Sequence, residues 1–180
     1  MATEDVVLSV RGVAAGFGDE APLVVLQDEP RSSSLRIPVG PYEASSIILE
    51  VEGIAPYRPL AHDLLATFFR DHGFLLESAR IYDAIPDGDG GERFLSRIRY
   101  RKGLRRWEKE VRPSDAIALA LRLGAPILAP REFLDRREAR RAAAAGDTRL
   151  PLYLQVPRSE AAGSRTNGDG RLPGISPGQD

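Results

Sequence analysis

The sequence predicts an α+β fold: a single domain with a mixed, mostly antiparallel sheet and about four helices. Three observations predict it. Stretches rich in β-branched residues are separated by Gly, Asp, Pro and Ser clusters. Apolar residues then recur at helical spacing directly after a proline. The order strand, strand, strand, helix, helix occurs twice, which suggests a duplicated unit.

In chain order, residues 5–15, 22–27 and 34–39 read as strands. Gly40-Pro41 opens a helix with Ala44, Ile47, Ile48 and Val51 on one stripe, stopped by Gly53. Pro59 is expected to open a second helix, with Ala61, Leu64, Leu65 and Phe68 as its buried stripe and Gly73 as its stop. The second half begins with a strand over 74–83 and a polar loop at 86–91. A hairpin follows, built from 93–101 and 104–111 around Lys102-Gly103. Pro113 opens a helix to about Leu123 that is apolar nearly all round, so a central one. Residues 125–128 form a short strand, and Pro130 begins a last helix that ends near residue 141. Pro41-Tyr42-Glu43-Ala44 and Pro113-Ser114-Asp115-Ala116 share the pattern Pro-x-acid-Ala. The domain is therefore placed at 5–141. Residues 142–180, rich in Gly, Pro, Ser and Asp, read as a mostly disordered tail.

Composition narrows the chemistry. The 180 residues contain no cysteine and two histidines, His62 and His72. Disulfides, thiolate metal sites and Cys nucleophiles are excluded, and a multi-histidine zinc centre nearly so. No apolar run reaches the ~18 residues of a membrane span, and the N-terminus lacks the basic and apolar regions of a secretory signal. A cytoplasmic protein is expected, with no membrane partner. Charge is uneven: residues 1–91 carry 15 acids and 6 bases, whereas 92–141 carry 7 acids and 15 bases. Such a split fits nucleic-acid contact, or attraction between the halves within the fold or across an oligomer.

No catalytic serine elbow, phosphate-cradling loop or dinucleotide fingerprint is present, so no organic cofactor is expected. What remains is carboxylates, histidines and arginines, a set suited to a divalent ion and a phosphate. Asp115 falls at the third position of its helix, and Glu43 has the matching place in the first half. Both fit a ligand role and equally fit capping of the exposed N–H groups. A pseudo-twofold packing of the halves would bring them together. His62 sits at the flank of its helix's apolar stripe, and Asp63 points away from that stripe. In the hairpin, a turn at 102–103 sets Arg97 opposite Glu108 and Arg99 opposite Arg106. The arginine pair would call for an anion, either phosphate or a neighbouring subunit's carboxylates.

Three stretches together carry a resemblance. They are Ile37-Pro-Val-Gly-Pro-Tyr-Glu-Ala44, Arg58-Pro-Leu-Ala-His-Asp-Leu64, and Arg112-Pro-Ser-Asp-Ala-Ile-Ala-Leu-Ala-Leu-Arg122 followed by Ala125-Pro126-Ile127. The chain resembles the bifunctional nuclease domain family over about 5–135. One departure is Ala61, where the family commonly has a hydroxyl residue. The resemblance implies a duplicated α+β fold, hydrolysis of DNA and RNA, and a homo-oligomer, a dimer or trimer. Its motif positions direct attention to His62, Asp115 and Glu43 as catalytic candidates and to Arg58 and Arg112 as phosphate ligands; Arg99 of the basic hairpin, which is not part of the family pattern, is a third phosphate candidate. Magnesium or manganese held by Glu43, Asp63 or Asp115 suits the oxygen preference of those ions. The rival expectation is a non-catalytic regulatory or interaction module, in which the same residues are caps and oligomer contacts.

Overall fold

The computed structural model describes residues 4–16, 20–29, 33–88 and 91–144. Its elements are β1 (Asp5–Ala14), β2 (Leu23–Asp28), β3 (Ser34–Pro38), α1 (Pro41–Val51), α2 (Ala61–Asp71), β4 (Leu75–Pro86), β5 (Glu92–Lys102), β6 (Arg105–Val111), α3 (Pro113–Leu123), β7 (Ile127–Pro130) and α4 (Arg131–Ala144). The expected tail from residue 145 onward lies outside the described residues.

The strands form one mixed sheet ordered β3-β2-β1-β7-β4-β5-β6. Two antiparallel meanders, β1-β2-β3 and β4-β5-β6, flank β7. That strand runs antiparallel to β1 and parallel to β4. Each meander feeds a proline-started helix, α1 or α3, and these two helices pack against each other. The three-strand meander and the helix after it thus recur in both halves, whereas β7, between α3 and α4, has no counterpart between α1 and α2.

Helix α3 is the central element. Residues Ala116 to Ala120 are all buried, and it touches α1, α2, β4 and β5. Alanines at 116, 118 and 120 let those neighbours approach closely. Gly124 ends the helix in the left-handed region, at φ 64°, where a side chain would be strained.

Two elements differ from the sequence expectation. Helix α2 starts at Ala61, two residues after Pro59, and buries Ala66 and Phe69. The expected stripe is exposed instead: Leu64 is 68%, Leu65 41% and Phe68 47% accessible. The cause is the anchoring of α2 to α3 by polar contacts at its first turn, which rotates Phe69 inward against Phe74 and Tyr100. The hairpin turn lies at Gly103-Leu104, one residue later than expected, so Lys102 pairs with Arg105. Gly103 adopts φ 59° there, a left-handed conformation that glycine enters at no steric cost. The shift places Tyr100 beside Trp107, stacked at 5.5 Å. It also places Arg99 opposite Glu108 rather than Arg106.

Much of the charge asymmetry is resolved inside the fold. Acids of the first half pair with bases of the second in Glu43–Arg112, Asp63–Arg122 and Asp83–Arg136. Glu77 likewise accepts both Arg101 and Arg106, which relieves the like-charge repulsion between those cross-strand neighbours.

Candidate functional site

The N-terminal ends of α1, α2 and α3 meet, and the acids and the histidine of their first turns meet with them. Glu43 is the third residue of α1, His62 the second of α2 and Asp115 the third of α3. Proline at the start of α1 and α3 and the extended residue before each helix direct these turns to one place.

Arg112 ties the carboxylates together. Its Nε donates to Asp115 Oδ2 at 2.8 Å and its Nη2 to Asp115 Oδ1 at 3.0 Å, while Nη1 donates to Glu43 Oε1 at 2.9 Å. Glu43 folds back over Gly40, where an added Cβ would lie 2.3 Å from Glu43 Oε2. Glycine at 40 therefore leaves room for the carboxylate that Arg112 holds. His62 lies behind Asp115, with Nε2 3.2 Å from Asp115 Oδ1 and Nδ1 3.2 Å from Ser46 Oγ. Exposure falls inward through the cluster, from the largely exposed Arg112 through part-buried Asp115 and His62 to buried Ser46.

Asp63 belongs to a second, deeper part. Its Oδ2 accepts the Leu60 N–H at 2.7 Å and its Oδ1 accepts Arg122 Nε at 2.6 Å. Arg122 is only 7% accessible. It also donates to Ala118 O at 3.1 Å, Ser46 O at 3.3 Å and Ser46 Oγ at 3.1 Å. Asp63 thus faces α3, not solvent, and Ser46 joins the two parts of the network. No sequence motif marks Ser46 or Arg122 as a functional residue. The signal available was the single strong base in the body of an otherwise apolar helix, which must be paired if buried.

The remaining candidates stand apart. Arg58 is exposed, and among the described residues it has no hydrogen-bond or ion-pair partner. Arg99 projects from the sheet face opposite buried Ile98, with Nη2 2.9 Å from Glu108 Oε2. It lines a hollow of about 250 Å³ with Asp5, Arg80, Arg97 and Glu108. The corrected register removes the unneutralised arginine pair that suggested an anion there.

Glu43, Asp63 and Asp115 do not form one ligand set. Arg112 sits between Glu43 and Asp115, and Arg122 holds Asp63. Among the described residues no group of three or more His, Asp or Glu could hold a metal ion. A divalent cation at this cluster would have to displace a guanidinium that already satisfies the carboxylates.

Burial pushes both aspartates upward, but their partners outweigh it. Asp63 is held below the ordinary carboxylate range by the Leu60 N–H, by the hydrogen bond and charge of Arg122, and by His62. Asp115 is lowered by Arg112 and then by His62. The unfolded chain therefore binds more protons in the window between the lowered and ordinary values. The stability from these contacts is fully present above about pH 4 and is lost as pH falls through the lowered values. Urea unfolding between about pH 7 and about pH 2.5 is expected to show the midpoint falling only at the acid end. Asp63→Asn should flatten part of that fall.

These features define a class: an α+β domain whose polar centre lies where three helix N-termini converge. The model of the bifunctional nuclease domain matches residues 24–141, and the chain belongs to that family. Two relatives from Mycobacterium tuberculosis cover nearly the same length. The uncharacterized proteins MT1877 of strain CDC 1551 / Oshkosh and Rv1829 of strain ATCC 25618 / H37Rv are each 32% identical over 118 residues, 66% of this chain and 67% of theirs. No helix among the described residues is long and apolar enough to cross a membrane.

Proposed function

We propose that the protein is a nuclease that hydrolyses phosphodiester bonds of DNA, RNA or both at the Glu43–Arg112–Asp115–His62 cluster. The observation that carries this reading is the bidentate Arg112–Asp115 pair, backed by His62, at the meeting of three helix N-termini. Helix N-termini favour anions, and a guanidinium is a planar two-point donor to phosphate. In the free protein Arg112 depresses the basicity of Asp115. A phosphate that draws Arg112 away restores it. Asp115 then takes the proton from a water whose oxygen attacks phosphorus. The P–O ester bond breaks, and the leaving oxygen is protonated from solvent. His62 steadies Asp115 from behind, and Arg58 is a second phosphate contact. Glu43 holds Arg112 in place before substrate arrives.

The test is cleavage of labelled DNA and RNA oligonucleotides by highly purified protein, with and without chelator, beside Asp115→Asn. Cleavage that persists in chelator and vanishes in the variant is expected. Equal cleavage by both proteins would expose a contaminant and sink the reading.

A second reading, a regulatory or interaction module, is favoured by one fact: both carboxylates of the cluster are satisfied within the chain. It predicts an intact fold and no cleavage under any condition.

A homo-oligomer, dimer or trimer, is also part of our proposal. Leu64, Leu65 and Phe68 form an apolar row on α2 that a second copy would cover. Light scattering across salt concentrations is expected to give a mass above 19.7 kDa. Leu64→Asp should reduce it to the monomer mass, and a monomer at every concentration would refute the proposal.

A further inference from the structure

We propose that Ser46 and Arg122 are positioning residues that lock the ring of His62 with its proton on Nε2, toward Asp115. The functional meaning of the lock rests on the nuclease reading above; the lock itself does not. A guanidinium has only donors, so Arg122 Nη2, 3.1 Å from Ser46 Oγ, occupies a lone pair of that hydroxyl. Arg122 cannot turn away, because Asp63 Oδ1, Ala118 O and Ser46 O hold it as well. Of Arg122 and His62 as partners of Ser46 Oγ, only His62 Nδ1, 3.2 Å away, can accept the hydroxyl proton, and a proton on Nδ1 would leave that hydroxyl without an acceptor. The usual competitor for a helical hydroxyl is the carbonyl one turn back. Ser45 makes that contact, to Pro41 O at 2.8 Å. Ser46 is 4% accessible, so water competes weakly.

A neutral imidazole accepts at one nitrogen and donates at the other. Acceptance at Nδ1 leaves the ring proton on Nε2, where Asp115 Oδ1 receives it at 3.2 Å. The opposite tautomer would set a nitrogen lone pair against a carboxylate oxygen and turn Asp115 out of its alignment. Ser46, His62 and Asp115 thus run in the order of a nucleophile, base and acid. Yet Ser46 is buried, and its oxygen is engaged by Arg122. Its role is to orient the ring, and the reactive end of the chain is Asp115.

The test is two-bond proton–nitrogen NMR correlation on the full chain above the titration range of histidine. His72→Gln assigns the two rings. Wild type should show His62 protonated at Nε2. Asp115→Asn should keep that tautomer, because an amide at 115 can turn to suit either ring state while Ser46 still donates to Nδ1. Ser46→Ala combined with Asp115→Asn should populate both tautomers. A mixed population in Asp115→Asn alone, or an Nδ1–H ring in wild type, would overturn the proposal. Neither measurement needs the double variant to fold. In the cleavage assay Ser46→Ala should lower kcat on the order of tenfold with KM unchanged. An unchanged kcat in Ser46→Ala would overturn the positioning role. If no protein cleaves while the tautomers behave as expected, the nuclease reading fails and the lock stands.

Discussion

Asp63→Asn is expected to cost roughly 3 kcal/mol of folding stability and to lower Tm by roughly 10 °C. The size of this effect follows from what stays behind. The substitution keeps shape, removes the charge that faces Arg122 and replaces one of the two accepting oxygens by an NH2 donor. That guanidinium is buried where α1, α2 and α3 meet, and Asp63 is the carboxylate paired with it, at 2.6 Å. An uncompensated cation in such surroundings is far costlier than a lost exposed ion pair. Asp63 also receives the Leu60 N–H at the start of α2, so the first turn of that helix loosens together with the pair. Urea and thermal unfolding of wild type, Asp63→Asn and the double variant Asp63→Asn/Arg122→Met provide the check. The double variant should be less destabilised than Asp63→Asn alone, since it carries no stranded charge. A loss below about 1 kcal/mol for the single variant, the level of an exposed pair, would show that Arg122 is reached by water.

The parts legible from sequence are those set by local chemistry. Pro41 and Pro113 mark helix starts because proline fixes φ and loses nothing by lacking an N–H there. The acids three residues into those helices could therefore be matched across the halves, and Glu43 and Asp115 do meet at Arg112. The apolar run of α3 announced its central place. What was not legible depends on tertiary packing. Leu64, Leu65 and Phe68 have ideal helical spacing, yet polar anchors at Asp63 and His62 set the rotation of α2 and turn that stripe outward. The hairpin offered two adjacent turn positions around one glycine. Stacking of Tyr100 on Trp107 accompanies the register seen, and a slip of one position changes the neighbour of Arg99 from Arg106 to Glu108. Ser46 carries no motif that distinguishes it from Ser45; only the approach of α2 and α3 gives it His62 and Arg122 as partners.

Asp115→Asn is expected to lower kcat for oligonucleotide cleavage by a factor on the order of 100 to 10,000 while the protein stays folded. The stability loss should be near 1 kcal/mol, because the lost contacts are a first-turn acid and an ion pair to an exposed arginine. The asymmetry between the two effects is the point of the measurement. The carboxylate of Asp115 has about four lone-pair sites. Arg112 takes two of them and His62 a third. Removal of Arg112 by a phosphate exposes the Oδ2 edge to the water that must lose its proton. An amide in the same place cannot accept that proton, although it can keep the hydrogen bond to His62. Arg112→Lys separates the two roles of the arginine. Lysine retains a positive charge but cannot make two parallel contacts to one carboxylate or one phosphate, so KM should rise while Asp115 remains competent. Steady-state kinetics on a labelled single strand, with circular dichroism melts of each variant, would measure both quantities. A cleaving Asp115→Asn protein with a small stability loss would reduce Asp115 to a helix-capping acid. An inactive, folded Asp115→Asn beside an active, weakly binding Arg112→Lys would assign proton transfer to the aspartate and phosphate capture to the arginine.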